Sequence, residues 1–122
     1  MELIQNKSET YNQIVSITES NVIVNQDSYN GSCIVSNLQI ITDINLKHID
    51  QLNSKHIEDL LSSNPEVILF GSGLTHQFPN VEVLTPIAKS LVGFEVMTNS
   101  AAARTYNVMI AEERKVACLL IL

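Results

Sequence analysis

Pro65-Glu66-Val67-Ile68-Leu69-Phe70-Gly71-Ser72-Gly73 decides the fold of this chain. Val67 to Phe70 is a short, continuous apolar run, and such runs suit strands buried on both faces, as in a parallel sheet. The Gly-Ser-Gly that closes it permits a tight turn and close approach of another backbone. Downstream, Thr85-Pro86 reads as a helix start, with Thr as cap and Pro at the first helical position. Ile87, Ala88, Leu91 and Val92 form its apolar face, and Gly93 suits the left-handed residue after it. Phe94 to Met97 is the next strand, so the segment is a strand–helix–strand unit. A long helix follows from about Ser100 to Glu113, and Val116 to Leu122 closes the chain as a buried strand.

Upstream the texture differs. Ile49, Leu52, Ile57, Leu60 and Leu61 recur at helical spacing, with Ser54 as a cap. Asn64-Pro65 stops that helix, because the residue before proline is pushed out of the α region. Ile14 to Ile17 and Val22 to Val24 flank the turn-rich Glu19-Ser20-Asn21 and read as a hairpin. Asn25 to Gly31 reads as a second turn. Cys33 to Val35 and Leu38 to Ile41 are two further short strands. Met1 to Thr10 is polar and expected to be loosely held. The expected class is α/β, with an N-terminal antiparallel β layer before a sheet flanked by helices.

The totals narrow the function. A chain of 122 residues suits one domain, 1–122, with a real core. Apolar residues make up 45% and charged residues 16%, a globular composition. Net charge is −6 and the seven Lys and Arg are scattered, which argues against a nucleic-acid backbone or an anionic membrane as partner. Cys33 and Cys118 sit in apolar runs and read as buried, reduced thiols. His48, His56 and His76 have no metal-ligand spacing. Met1 to Lys7 lacks a basic, apolar leader, and no window approaches the ~20 apolar residues of a membrane-spanning helix. The expected location is cytoplasmic.

Two places carry chemistry. Gly71-Ser72-Gly73 lies where a parallel strand ends, the side on which open α/β sheets bind ligands. It falls short of a dinucleotide fingerprint and has no Walker lysine, so a structural turn is the plainer reading. Thr98-Asn99 precedes the last helix; either residue can cap it, and its free N–H groups would accept an anion. If the two strands are parallel neighbours, both places open onto one crevice. Beyond them, Ala101-Ala102-Ala103 lets the helix approach the sheet closely, and Arg104-Thr105-Tyr106-Asn107 is a polar block beside it. Arg104 could clamp a carboxylate or phosphate, or pair with Glu. Arg114 suits the dipole at the helix end. Ser72 with His76 lacks both a GxSxG context and an orienting acid, so no catalytic residues are assigned.

The ordered set of Gly71-Ser72-Gly73, Pro86, Gly93 to Met97, Ala101 to Asn107, Glu113-Arg114 and an apolar final strand resembles the Mth-type domain family. That family includes mitochondrial complex I (NADH:ubiquinone oxidoreductase) assembly factor 3 and the adipogenesis-associated Mth-domain protein. The likeness is sharp over about residues 65–122. Family members usually carry Gly-Thr-Gly where Ser72 keeps the hydroxyl here. They read Met-Asp-Thr where this chain has Met97-Thr98-Asn99, and a cysteine commonly stands at Ala103. The matching acid and thiol are therefore missing. The resemblance implies a three-layer α/β fold with a central mixed sheet and, by kinship with the assembly factor, action through a protein partner or a second copy. The expectation is a binding or assembly module without cofactor or metal. The alternative is a small anionic ligand or substrate in the crevice between Gly71-Ser72-Gly73 and the Arg104–Asn107 helix.

Overall fold

The computed structural model describes residues 11–122, so the expectation for Met1 to Thr10 lies outside the described residues. Strands β1 (Ile14–Ile17), β2 (Asn21–Val24) and β3 (Asp27–Asn30) form an antiparallel sheet in chain order. Next come β4 (Cys33–Ser36), β5 (Ile40–Ile41), helix α1 (Ser54–Leu61), β6 (Val67–Gly71), helix α2 (Thr85–Lys89), β7 (Gly93–Met97), helix α3 (Asn99–Ala111) and β8 (Val116–Leu120). Their strands make a mixed sheet in the order β5-β4-β8-β6-β7. In it β6 runs parallel to both β7 and β8, and β4 runs antiparallel to β5 and β8.

The alternation of side chains along β8 separates the layers. Val116, Cys118 and Leu120 face Val22, Val24, Ala102 and Tyr106, the side of the small sheet and α3. Ala117, Leu119 and Ile121 face Ile57, Leu60 and Ile87, the side of α1 and α2. Residues of opposite parity along a strand must point to opposite faces. With a neighbour on each edge and a layer on each face, Ile68, Leu69 and Phe70 of β6 are completely buried, as the apolar run demands. Each such side chain contributes roughly 1.5–3 kcal/mol from burial.

Several local readings are corrected. The Asn25 to Gly31 turn contains a strand: Asn25, at φ 56°, and Gln26 turn the chain, and Asp27–Asn30 then pairs with β2. This outer strand is largely solvent-exposed, so apolar alternation could not announce it. Asn53, not Ser54, caps α1, its Oδ1 accepting the Lys55 and His56 N–H groups. Ile49 and Leu52, both buried, belong to a separate 3-10 turn around Ile49–Gln51. The left-handed residue after α2 is Leu91, at φ 62°, while Gly93 opens β7. Leu84 rather than Thr85 occupies the cap of α2.

His56 adds a pH dependence. Its Nδ1 accepts the Asn53 N–H at 3.1 Å, which closes a capping box. Burial holds its pKa below the ordinary histidine value of 6.5. The unfolded chain therefore takes up the proton first. Stability from this cap is complete above about pH 6.5 and is lost as pH falls below it. A cap of this kind is worth about 1 kcal/mol. His56→Gln keeps an acceptor at that position without titrating. Melting temperature followed against pH should fall less steeply on acidification in the variant than in the native chain.

Candidate functional site between the first strand and the last helix

The polar block on α3 is divided among three jobs. Tyr106 is fully buried among apolar side chains, and its hydroxyl donates to the Asn12 carbonyl at 2.8 Å. Burial pushes the phenol pKa up, so it keeps its proton. Asn107 reaches the small sheet: its Oδ1 accepts the Ile14 N–H at 3.0 Å and its Nδ2 donates to the Ile14 carbonyl at 2.8 Å. Only Arg104 stands out in solvent, its Nη1 donating to Ser100 Oγ at 2.8 Å. Thr105 is half-buried, apart from the groove described below.

The Gly-Ser-Gly turn and the start of α3 do meet, through direct bonds. Asn99 N–H donates to the Gly73 carbonyl at 2.9 Å, and Gly73 N–H donates to Asn99 Oδ1 at 3.1 Å. The same Oδ1 accepts the Ile121 N–H at 3.2 Å, and Asn99 Nδ2 donates to the Ile121 carbonyl at 2.7 Å. The buried Asn99 amide thus behaves as an extra peptide group beyond the end of β8. Thr98 is the cap, its hydroxyl accepting the Ala101 N–H at 3.3 Å. Ser72 Oγ lies 2.7 Å from the Thr75 carbonyl and 3.2 Å from that of Met97, and it also accepts the Gln77 N–H. His76 Nε2 instead lies 3.0 Å from the Val96 carbonyl.

A groove of about 530 Å³ opens between β1 and the first half of α3. Gly73, Thr98, Asn99, Arg104 and Asn107 line it, together with Ile14 to Glu19 from the small sheet and Leu74. Gly71, Ser72, Thr105, Tyr106 and Arg114 lie outside it. Arg114 is at the far end of α3, its Nε donating to Glu66 Oε2 at 3.1 Å. That contact and the Lys115 N–H hold the exposed Glu66 carboxyl below its usual range, the Lys115 bond more strongly.

The β1 wall was missed in the sequence. Its position beside α3 depends on sheet order, which short strands do not encode. One signal was available: the abundance of Asn. Besides Asn99 and Asn107, Asn37 Oδ1 accepts the Val116 N–H and its Nδ2 donates to the Arg114 carbonyl, both at 2.8 Å. Asn12 Nδ2 donates to the Ser36 and Gln39 carbonyls. These amides bond main-chain groups at strand ends, edges and turns.

Among the described residues, no group of three His, Cys, Asp or Glu could hold a metal ion. Cys33 and Cys118 are free and completely buried, and burial pushes the Cys33 thiol up to about 12 and that of Cys118 further still. Since the thiolate is the nucleophile, iodoacetamide at mildly alkaline pH should leave both unmodified in the native chain and alkylate both in denaturant, as read by mass spectrometry.

Comparison with known proteins agrees with this architecture. The NMR structure of a Xanthomonas campestris protein superimposes with a TM-score of 0.82 at 34% identity, over 99% of this chain and 92% of that one. A crystal structure described as an outer membrane protein from Bartonella henselae gives 0.81 at 26% identity, over 91% and 94%. A Bordetella pertussis structure described as a Mth938-like domain gives 0.78 at 22% identity, over 90% and 85%, a likeness of fold. The Francisella tularensis "13 kDa major membrane protein" is 37% identical over 59 residues, 48% of either chain, so the matched part spans about half the length of that curated relative. No helix among the described residues is long and apolar enough to cross a membrane. Residues 14–121 match the family described as a protein of unknown function (DUF498/DUF598), and the chain belongs to that family, with the Mth938-like fold.

Proposed function

We propose that this chain is a non-enzymatic protein-binding module that works through the groove between β1 and α3. One observation carries the reading: the groove is walled by strand backbone and one helix face, while the candidate nucleophiles and bases are engaged in internal bonds or buried. Ser72, Tyr106, Cys33 and Cys118 fall in that class. An assembly role for the binding rests on kinship with the mitochondrial assembly factor. Affinity capture from native lysate, followed by size-exclusion chromatography, tests the reading. A stoichiometric, salt-resistant partner or a defined homo-oligomer is expected; a chain that elutes as a bare monomer contradicts it.

The location proposed is the cytoplasm, with net charge −6 disfavouring anionic lipid. The names of the Francisella and Bartonella relatives make fractionation the direct check. The chain should stay in the supernatant after membranes are pelleted; recovery in the pellet through a carbonate wash contradicts this.

A second reading has its own support. Gly73, Thr98, Ser100 and Arg104 share the groove, whose volume is in the range of small-ligand sites. A small anion held by Arg104 at the start of α3 would raise the melting temperature in a screen of nucleotides and carboxylic acids. The rise should vanish in Arg104→Ala.

A further inference from the structure

We infer that the edge of β1 receives an extended segment of the partner protein as an added strand, with one carboxylate side chain set toward Arg104. This rests on the protein-binding reading and names the form of the partner. The hydrogen-bond pattern of the small sheet sets the geometry. Thr18 N–H donates to the Asn21 carbonyl at 2.8 Å, and Asn25 N–H donates to the Gln13 carbonyl at 2.9 Å, so Thr18 and Gln13 turn their main-chain groups toward β2. Antiparallel pairing alternates hydrogen-bonded and non-hydrogen-bonded positions. Ile14, opposite Val24, and Ile17, opposite Val22, therefore turn theirs outward, with the extra residue at the Ile14/Ser16 irregularity absorbing the count.

At Ile14 the outward position is already filled. The Asn107 amide accepts from its N–H and donates to its carbonyl, the two bonds a neighbouring strand would make. Ile17 lines the groove, and among the described residues no group bonds its outward N–H or carbonyl. The edge is thus suited to peptide-like partners, served internally at one rung and without a bonded neighbour among the described residues at the next.

The same geometry selects the occupant. Strands pair at about 4.8 Å, and α3 stands across the groove with Asn107 bridging it. A second folded copy cannot bring its own β1 into that gap, since its edge is backed by its own α3. A single extended segment can enter. Arg104 is the one cation among the groove's described lining residues, and Glu19, at the hairpin end, is the one anion. A carboxylate side chain on the segment pairs with the Arg104 fork. Exposed Leu74, also on the groove, takes an apolar neighbour. Main-chain bonds then give affinity and the two side-chain contacts give selectivity, as in other strand-addition complexes. The β1 irregularity limits the open edge to a short stretch, in keeping with protection against indiscriminate pairing.

The test uses a random-peptide phage library panned against the full chain, with selected peptides mapped by amide shifts of the isotope-labelled protein. Peptides sharing one carboxylate residue should be enriched, with Ile17 among the most shifted amides. Arg104→Glu should weaken binding by about tenfold or more, and a peptide with Lys in place of its acid should recover it. N-methylation of the peptide residue facing Ile17 should cost a similar factor with every side chain intact, a readout that leaves the protein's folding untouched. Selected peptides without acidic residues, shifts centred elsewhere, or tolerance of both changes would overturn the inference. A partner captured from lysate that binds Arg104→Glu as tightly as the native chain would overturn it too, while leaving the protein-binding reading in place.

Discussion

Asn99→Ala should lower stability by about 3–5 kcal/mol, the largest effect of any single polar residue described here. The substitution removes three side-chain bonds and strands the Gly73 N–H together with both main-chain groups of Ile121. A buried polar group left without a partner costs roughly 1–3 kcal/mol, and a water entering the space would recover part of it. Among the described residues no buried side-chain N or O lacks a partner in the native chain, so the variant breaks a complete network. Denaturant unfolding measures the loss. A change under about 1 kcal/mol, the net worth of one ordinary hydrogen bond, would show that Asn99 is not the tie between the Gly-Ser-Gly turn, α3 and the end of β8.

Gly71→Ala should cost about 3 kcal/mol. A Cβ added there would lie 2.6 Å from Asn99 Oδ1 and 2.6 Å from the Leu119 carbonyl oxygen. Leu119 lies in β8 at the centre of the sheet, and Asn99 Oδ1 is held by two N–H donors, so neither can retreat cheaply. Overpacking of this kind costs 1–3 kcal/mol and occasionally more, which here corresponds to a drop of about 10 °C in melting temperature. The two substitutions share an atom, so they should couple. In the double variant one obstacle to the new methyl is gone, and the loss should be smaller than the sum of the single losses. Strict additivity would contradict the packing account.

These two residues show which parts of the sequence were legible. The run Val67 to Phe70 announced a strand buried on both faces because its four residues need no polar side. The first glycine of the turn was legible as a close approach, but the group that approaches, Asn99, was legible only as a helix cap. Tyr106 looked like part of an exposed polar block because it sits between Thr105 and Asn107. Its burial follows from the stripe Asn99, Ala102, Ala103, Tyr106 and Ile110 that faces the sheet. Helical spacing puts Tyr106 one turn from Ala102, but it equally offers a face of Ala101, Thr105 and Val108, and Val108 is exposed in the structure. β3 was hidden for the opposite reason: an outer strand exposed to water can be written in Asp, Ser and Asn. The asparagines were the larger omission. Asn37, Asn99 and Asn107 each replace a missing strand neighbour, Asn12 ties down the β4–β5 turn, and local sequence does not say which edges the fold leaves open.

The groove follows from the same economy of edges. Asn107 closes one rung of β1, the Asn99 amide extends the end of β8, and Ile17, which lines the groove with Arg104, has no bonded neighbour on its outward side among the described residues. At the carboxyl ends of β6 and β7, direct bonds join Gly73 to Asn99, and the groove lies along the flank of α3.

Hydrogen–deuterium exchange on the chain with and without its captured partner tests the role of the groove most directly. The account predicts slowed exchange at the Ile17 amide and over Thr98 to Arg104, with little change at Arg114 or along α1. Unchanged exchange at Ile17 and the start of α3, with protection centred on another face, would contradict it.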